Sequence, residues 1–487
     1  MSISVMEFRR GRLVVLIVFV LQLCLVSANF VFNVQHKFAG RERSLSAYKA
    51  HDIRRHGRVL AGVDLPMGGN ANPNTAGLYF AKIGLGTPSN DYHVQVDTGS
   101  NILWVNCAGC EKCPTKSNLG IQLRPYDPKG SKTAKMIACD QDFCTTALEK
   151  VPIAGCRAGA RCQYIVTYAD GSGTEGFFVQ DNLQMNRVSG NLQTTSMNGT
   201  IAFGCGSKQS GELGSSSEAV DGILGFGQAN SSMISQLASA GKVKKIFAHC
   251  LDGKKGGGVF ALGEVVQPKI KSTPIVPNQA HYNIIMKAIE VGSDVLQLPK
   301  DADIASGRKT VIDSGTTLAY LPQSVFDPLI KKIVARQPKL NFRTVEEQFK
   351  CFKYTGKVDD GFPAVTFRFE NSLSLKIYPR DYLFQLNGDE WCIGWQNSGS
   401  GVKSKNGKEL ILLGDIVLSN KVFVYDLEKN TIGWAEHNCS SGIKVKDEQT
   451  KAEYLVGAHN INSACSLYAG RSLTLLILLV ILLNFIH

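Results

Sequence analysis

The strongest constraint on the fold is an acidic motif that occurs twice. Val94 to Val105 reads VQVDTGSNILWV, and Thr310 to Leu321 reads TVIDSGTTLAYL. Each copy places Asp-Thr/Ser-Gly between two apolar runs, the pattern of buried strands joined by a tight turn. A carboxylate in such a setting is costly unless it is hydrogen-bonded or functional. The repeat at a spacing of 313 − 97 = 216 residues predicts two related halves.

Each acidic motif is followed by a second shared pattern. Asp221 to Gly227 reads DGILGFG, and Ile411 to Asp415 reads ILLGD. Two apolar residues followed by glycine favour a strand that passes close under a neighbouring backbone, where a Cβ would not fit. Both halves therefore carry the same two motifs in the same order.

These four motifs make the region from about Tyr79 to His437 resemble the pepsin-like aspartic proteases. The resemblance implies an all-β dominated, bilobal fold of two β-barrel-like lobes related by a pseudo-twofold axis. It also implies that Asp97 and Asp313 face each other over one water and share a proton, a coupling for which aspartic-protease dyads are themselves the standard example. The function implied is an aspartic endopeptidase that uses general acid–base catalysis without a covalent intermediate.

The resemblance assigns supporting roles to the neighbours of the dyad, namely Thr98, Gly99, Ser100, Ser314, Gly315 and Thr316. The glycines let backbone N–H groups reach the carboxylates. The hydroxyl directly after each aspartate is expected to tie the two loops together across the axis. The hydroxyl three residues after each aspartate is expected to bond the outer carboxylate oxygen.

A glycine-rich hairpin is predicted over Tyr164 to Gly176, which reads YIVTYADGSGTEG. It resembles the flap that closes over bound peptide in the same family, and its glycines suit a lid. Tyr168 matches the flap tyrosine, and Trp104 is expected to support it. The alternative is that Tyr168 is an ordinary packed strand residue.

Cysteine usage predicts disulfides in an oxidising compartment. Of 14 Cys, Cys24 and Cys465 lie in the terminal segments, which leaves 12 between Cys107 and Cys439. The CAGCEKC spacing could bind zinc or an iron–sulfur cluster in a cytosolic chain. Ser117, however, stands where the fourth Cys of a cluster would be. Disulfides are therefore the preferred interpretation, and no metal or cofactor is expected.

The Cys-rich insertion 107–162 resembles the nepenthesin-type, atypical branch found in plants, as in aspartic proteinase-like proteins with GPI anchors. The resemblance to pepsin-like proteins suggests the pair Cys351–Cys392, and the likeness to nepenthesins suggests, more weakly, Cys205–Cys439. The sequence leaves the other pairings open among Cys107, Cys110, Cys113, Cys139, Cys144, Cys156, Cys162 and Cys250.

The first residues predict secretion. Three arginines precede the apolar run Leu13 to Val26, which is short for a membrane span, and small residues follow. We interpret 1–28 as a signal peptide, with an anchor helix as the alternative. Residues 29–70 are basic and are interpreted as a prosegment that inhibits the zymogen, or else as a disordered arm; 66–77 is expected to be a linker where processing occurs.

The last residues predict a GPI anchor. The terminal apolar run Leu473 to Ile486 follows a short spacer, preceded by the small residues Asn462, Ser463 and Ala464. The alternative is a plain tail anchor. The expected location is thus the extracellular face of the plasma membrane. The predicted domains are an N-terminal lobe over 71–276, a C-terminal lobe over 277–440 and a spacer with tail over 441–487. Sequons stand at Asn198, Asn230 and Asn438.

Several function classes are disfavoured. The formal net charge is +12, but residues 1–70 account for 10 − 4 = +6, and no basic run with interleaved aromatics follows, so nucleic acid is not an expected partner. Neither a G-x-S-x-G elbow nor an HExxH motif is present. A monomer acting on protein or peptide substrates is expected. The rivals are an inactive inhibitor of cell-wall glycoside hydrolases on the same scaffold and a surface adhesion or receptor ectodomain.

Overall fold

The computed structural model describes residues 60–147, 156–297, 308–346, 349–398, 410–448 and 450–461. All described residues belong to one compact unit, Arg58–His487. The predicted signal peptide, most of the prosegment, the middle of the Cys-rich insertion and the GPI-type tail, with Asn462, Ser463 and Ala464, lie outside the described residues.

The described part of the chain is built mainly of strands. Those before the lobe boundary are β1 (Val63–Leu65), β2 (Met67–Asn70), β3 (Leu78–Leu85), β4 (Asn90–Asp97), β5 (Leu103–Glu111), β6 (Lys135–Met136), β7 (Gln163–Thr167), β8 (Gly173–Gly190), β9 (Gln193–Ser210), β10 (Gly222–Gly225), β11 (Ile246–Leu251), β12 (Gly258–Leu262), β13 (Val265–Gln267) and β14 (Lys271–Pro274).

Those after the boundary are β15 (Asn283–Val291), β16 (Asp294–Val295), β17 (Arg308–Ile312), β18 (Ala319–Leu321), β19 (Arg343–Val345), β20 (Phe349–Lys353), β21 (Val365–Phe369), β22 (Ser374–Ile377), β23 (Leu383–Asn387), β24 (Glu390–Ile393), β25 (Trp395–Asn397), β26 (Ile411–Leu413), β27 (Lys421–Asp426), β28 (Thr431–Glu436), β29 (Ile443–Lys446) and β30 (Glu453–Val456).

Helices are short. They are α1 (Glu212–Ser215), α2 (Met233–Ser239), α3 (Gln323–Val334), α4 (Val358–Gly361) and α5 (Asp415–Leu418), with single turns at Pro128–Gly130, Phe143–Ala147, Glu370–Ser372 and Pro379–Asp381. The predicted all-β, bilobal pepsin-like fold is confirmed.

The same three-strand arrangement occurs in both halves. In the first, β10 lies between β4 and β5, parallel to β4 with Gly225 opposite Asp97, and antiparallel to β5. In the second, β26 lies between β17 and β18, again parallel to the strand that precedes the aspartate. The duplicated motifs of the sequence thus form duplicated strand sets, each ending at one aspartate.

The glycines of the apolar-apolar-Gly motif are needed for the central strand of each set to pass close to its neighbours. A Cβ added to Gly225 would lie 2.6 Å from the backbone nitrogen of Ile102. A Cβ added to Gly414 would collide with the carbonyl oxygens of Thr316 and Leu318. Close backbone approach, predicted from the apolar-apolar-Gly pattern, is therefore confirmed in both halves.

The two halves join through a continuous sheet. β11 of the first half pairs antiparallel with β27 of the second, with Ala248 opposite Val424, and β14 pairs with β28. Aromatic rings fill the junction, and Phe247 stacks on Tyr425 with centroids 4.4 Å apart and planes at 7°. Rings of this kind bury large apolar areas, so the junction is a hydrophobic core and not a loose hinge.

The structure corrects the predicted boundary at the N-terminal side. β1 is paired with β12 on one side and β8 on the other, and β2 pairs with β3. The predicted linker 66–77 is also tied to the second lobe, because the Thr317 hydroxyl donates to the carbonyl of Gly77 and the Asn74 amide donates to Leu386 O at 2.7 Å. Cleavage within 66–77 would therefore cut a segment that belongs to the folded body.

The predicted spacer after residue 440 is also wrong in its first part. β29 pairs with β13 and with β30, and these strands form a separate three-stranded sheet. Further on, His459 forms a β-bridge with Gly258, and the N–H of Ile461 donates to Met67 O at 3.0 Å. We call residues 441–461 the C-terminal strap, because they run from the second half back across the first.

Polar side-chain contacts hold the strap against the first half. The His459 ring contacts the Asp64 carboxylate at 2.8 Å, and Lys244 contacts Glu448 at 2.7 Å. Burial raises the pKa of Glu448, but hydrogen bonds from Lys244 and Lys451 outweigh it and lower that pKa to about 2. This carboxylate therefore stays ionised in moderately acidic solution.

The disulfides confirm one predicted pair and correct the other. Cys351 is bonded to Cys392, as expected, since these residues are directly opposite on β20 and β24. The predicted Cys205–Cys439 bond is wrong. Cys205 lies opposite Val105 in the parallel β5–β9 pair and therefore bonds Cys107, while Cys439 bonds Cys250.

The remaining bonds lie within the insertion: Cys110–Cys113, Cys139–Cys156 and Cys144–Cys162. The CAGCEKC cysteines are thus used in disulfides, which supports that interpretation over a metal cluster. Among the helices of the described part of the chain, none combines the length and apolar character needed to cross a membrane.

The Cys250–Cys439 bond is expected to carry more of the stability than the local Cys110–Cys113 bond. It closes a separation of 189 residues rather than 3. Replacing both members of the long-range pair by alanine should lower the free energy of unfolding by about 2–5 kcal/mol. Thermal denaturation of both double variants measures this, with the Cys110/Cys113 variant as matched control; equal losses in the two would contradict it.

Candidate active site

The structure brings Asp97 and Asp313 together. Asp97 ends β4, Asp313 directly follows β17, and only 6% and 8% of their surfaces are exposed. A Cβ added to Gly99 would lie 2.7 Å from both carboxylate oxygens of Asp313, and one added to Gly315 would collide with the Asp97 carboxylate. Glycine at these positions is what allows each carboxylate to approach the opposite loop.

Each carboxylate sits in the same hydrogen-bond cradle. The N–H of Gly99 donates to Asp97 Oδ1 at 2.8 Å, and the Ser100 hydroxyl donates to Asp97 Oδ2. In the second loop the N–H two residues after Asp313 donates to its Oδ1 at 2.8 Å, and the Thr316 hydroxyl donates to its Oδ2 at 2.8 Å. Both carboxylates are therefore fixed in orientation.

Hydrogen bonds across the axis hold the two loops in register. The N–H of Ser314 donates to the Thr98 hydroxyl at 2.9 Å, and the Ser314 hydroxyl donates to Val96 O at 3.2 Å. The Thr98 hydroxyl in turn donates to Ile312 O at 3.4 Å. Thr98 and Ser314 thus occupy the positions that the resemblance predicted, with serine able to fill the place of threonine because only the hydroxyl is used.

The electrostatics favour one shared proton. Burial raises the pKa of Asp97, the charge of Asp313 raises it further, and the bonds from Ser100 and Gly99 only partly oppose this, so the pKa reaches about 7. Two carboxyl groups in contact titrate as a pair. The pair therefore retains a proton from acidic solution up to about neutrality.

A third buried carboxylate lies beside the dyad. Asp415 begins α5, is 1% exposed, and within the described residues neither of its carboxylate oxygens has a hydrogen-bond partner. Its N–H donates to Thr316 O at 2.7 Å, which ties it to the second catalytic loop. Burial, with the charges of Asp313 and Asp97, raises the pKa of Asp415 well above its ordinary value. The ILLGD motif ends in this residue, but the sequence analysis gave it no role; its signal is an acid placed one glycine after a buried apolar strand.

The predicted flap hairpin is present. β7 pairs with the start of β8, and the turn between them is closed by the N–H of Tyr168, which donates to Ser172 O at 2.8 Å. The Trp104 indole N–H donates to the Tyr168 hydroxyl at 2.7 Å. Burial and then the charge of Asp97 raise the pKa of Tyr168, so its hydroxyl keeps its proton. The hairpin tip is thus anchored above Asp97 through one tyrosine.

This arrangement can activate water. A buried pair of carboxyls with one proton between them supplies both a base to take a proton from water and an acid to bond a carbonyl oxygen. In the described part of the chain, no group of three or more His, Cys, Asp or Glu residues is placed to hold a metal ion. The fold and the site together define a pepsin-like aspartic-protease scaffold.

Comparison with known proteins agrees with this class. The family described as xylanase inhibitor N-terminal matches residues 79–264, and the family described as xylanase inhibitor C-terminal matches residues 281–436. Aspartic proteinase 36 of Arabidopsis thaliana is 52% identical over 480 residues, covering 98% of each chain. Aspartic proteinase 39 of the same plant is 50% identical over 459 residues, covering 94% of this chain and 95% of that one. The chain therefore belongs to the atypical, pepsin-type (A1) aspartic protease family of plants.

Solved structures share the fold at low identity. Conglutin gamma, a basic 7S globulin from lupine seeds, superposes with a TM-score of 0.61 at 20% identity, covering 78% of this chain and 95% of that one. Soybean basic 7S globulin gives a TM-score of 0.58 at 22% identity, covering 77% and 95%. At such identities the likeness extends to the bilobal fold alone.

Asp415 is expected to make folding less favourable as pH rises. Its raised pKa means that the folded protein keeps the proton while the unfolded chain releases it above about pH 4, at roughly 1.4 kcal/mol per pKa unit. Asp415→Asn removes this difference. The melting temperature of the variant relative to the unsubstituted protein should therefore climb between about pH 4 and 7. Melting curves across that range check it, and a difference independent of pH would argue against a buried, raised-pKa carboxyl.

Proposed function

We propose that the protein is an aspartic endopeptidase that hydrolyses peptide bonds with water activated by Asp97 and Asp313. The observation that carries the proposal is the pair of equivalent carboxylate cradles joined by the Thr98–Ser314 bond at 2.9 Å. The names of the Arabidopsis relatives, two aspartic proteinases at 50% identity or more, support it.

The proposed reaction uses only residues of this chain and water. A peptide lies between the lobes under the flap, with its scissile carbonyl over the dyad. The ionised partner of the pair takes a proton from the water, which attacks the carbonyl carbon, while the protonated partner hydrogen-bonds the carbonyl oxygen. The leaving nitrogen then receives a proton from the pair, and the single shared proton is restored.

The rival function is an inactive inhibitor on the same scaffold. The family descriptions name xylanase inhibitors, and the solved neighbours are seed globulins. Against this reading, both aspartates, both loop glycines and the flap tyrosine are present here with their hydrogen bonds. An intact proton-sharing dyad is needed for hydrolysis and is not needed for binding another protein.

We further propose that the protein is secreted, glycosylated and held at the membrane by a GPI anchor. The three sequon asparagines, Asn198, Asn230 and Asn438, are all exposed. The strap holds the chain to the body as far as Ile461, and the candidate anchor residues follow directly. The signal peptide and the basic prosegment stay predictions from the sequence.

Substituting either catalytic aspartate should abolish cleavage. Asp97→Asn or Asp313→Asn removes one of the two proton-transferring groups, and a loss of about 10²–10⁴-fold or more is expected in kcat. The measurement is cleavage of a denatured protein between about pH 3 and 7, with and without pepstatin. Asp91→Asn, the same change at an exposed carboxylate paired with Lys82, is the matched control and should keep full activity.

Two outcomes would overturn the endopeptidase assignment. One is retained turnover in either dyad variant with a normal melting curve. The other is the absence of cleavage at every pH by the processed protein, and inhibition of a plant cell-wall xylanase in the same samples would then favour the inhibitor.

Membrane attachment can be tested separately. Phospholipase C specific for glycosylphosphatidylinositol should release the protein from a membrane fraction into the soluble fraction, detected by immunoblotting. Release is expected because the apolar tail is removed when the lipid is attached covalently, so the lipid alone holds the protein at the membrane. Protein that stays in the membrane pellet would indicate a retained hydrophobic tail.

A further inference from the structure

An exposed histidine outside the predicted site contacts the first catalytic loop. Nδ1 of His281 lies 3.0 Å from the carbonyl oxygen of Gly99, and the residue is exposed. Because a carbonyl oxygen only accepts hydrogen bonds, Nδ1 must carry the proton in this contact. The ring therefore donates to the loop that holds Asp97.

The backbone beneath this histidine is fixed. The side-chain amide of Gln228 donates to His281 O at 2.8 Å, and Asn283 donates to the same oxygen through its N–H at 2.9 Å and its side chain at 3.0 Å. Gln228 directly follows the DGILGFG motif of the first lobe. The ring is thus held in place from both lobes rather than resting on a free surface loop.

Its position is at the edge of the dyad. The N–H of Gly99 bonds Asp97, the α-carbon of Gly99 faces the Asp313 carboxylate, and its carbonyl oxygen receives the His281 ring. A peptide whose carbonyl carbon lies over the dyad would lie beside Gly99, whose carbonyl oxygen is 3.0 Å from Nδ1 of this ring. Among the described residues, Nε2 of His281 has no hydrogen-bond partner, so it is available to a substrate.

A lysine side chain contacts the segment that leads to His281. Lys309 is exposed, and its ammonium donates to the Gln279 side chain at 3.2 Å, two residues before His281. In the described part of the chain, no carboxylate forms an ion pair with either residue. An imidazole can present a second N–H and a positive charge in acidic solution. We call Gln279, His281 and Lys309 the basic rim.

We infer that His281 is a specificity-determining residue and that the basic rim selects substrates with an acidic side chain within two residues of the scissile bond, on the side that lies over Gly99. This inference rests on the proposed endopeptidase function. With Nδ1–H bonded to the Gly99 carbonyl, Nε2 of His281 donates to the acidic side chain when the imidazole carries its second proton. Charge-assisted hydrogen bonds of this kind exceed neutral ones in strength.

The test uses fluorogenic peptides that share one scissile bond and carry Glu, Gln or Leu at each of the two positions on either side. For at least one position, kcat/KM for the Glu peptide should exceed that for its Gln counterpart by about five- to tenfold. His281→Phe should bring this ratio to about one, and His281→Lys, which restores a cation, should retain it. Lys271→Gln, which removes an exposed cation on β14, should leave the ratio unchanged.

Binding gives a readout that is independent of turnover. In the Asp97→Asn background the same Glu and Gln peptides should differ in Kd by a similar factor, measured by fluorescence anisotropy, and His281→Phe should remove the difference. A chain that cleaves the peptides without a Glu preference, or with a preference that survives His281→Phe, overturns the inference and leaves the endopeptidase function standing. Failure to cleave or bind any peptide overturns both.

Discussion

The hydrogen bond from the Ser314 N–H to the Thr98 hydroxyl is the contact on which the rest of the site depends. It joins two loops that are 216 residues apart in the chain (314 − 98 = 216) and brings them within hydrogen-bond distance of each other. With the loops so close, only glycine fits beside the opposing carboxylate. The mutual approach of the two carboxylates follows from this separation, while the hydrogen bonds within each loop set their orientation.

Placing acids so close together raises the free energy of the folded state. Asp97 has its pKa raised to about 7 by burial and by Asp313, and Asp415 is buried beside them with its pKa also raised. An unpartnered buried carboxyl avoids the larger penalty of a buried charge by keeping its proton. The buried carboxyls of the site thus hold protons and are not neutralised by basic side chains. Acid–base chemistry with water requires such a protonated carboxyl.

Rigidity around the site comes from elements remote from it. The β11–β27 pairing, the aromatic stack of Phe247 on Tyr425 and the Cys250–Cys439 bond all connect the two lobes near their common axis. The C-terminal strap adds a second connection by pairing with β13 and reaching Met67. The hairpin formed by β7 and the start of β8 is tied to this frame by the bond from the Trp104 indole to the Tyr168 hydroxyl.

The duplicated Asp-Thr/Ser-Gly and apolar-apolar-Gly motifs were sufficient to predict the bilobal fold, the two acidic loops and their hydroxyl neighbours, and the family resemblance added the hairpin at 164–176 and the Cys351–Cys392 bond. They sufficed because short-range pattern determines strand, turn and glycine position, and because the order of motifs matches a known family. The sequence marked Asp415 only as an acid that follows a buried strand, since its position beside Asp97 and Asp313 depends on contacts that no local pattern encodes. It also misassigned Cys205 and Cys439, because disulfide partners depend on strand register, here Val105 opposite Cys205.

The segments on either side of the two lobes also show what the sequence predicted and what only tertiary contacts decided. Segments that looked like a linker and a spacer, residues 66–77 and 441–461, lack a strong local pattern and yet are ordered by partners elsewhere in the chain. His281 gave no local signal either, and only its approach to the Gly99 carbonyl marks it out. The local sequence determined the two acidic loops and the chemistry of their side chains. Tertiary packing decided that the loops face each other, that a third acid lies beside them and that the basic rim lies near them, because those contacts join residues far apart along the backbone.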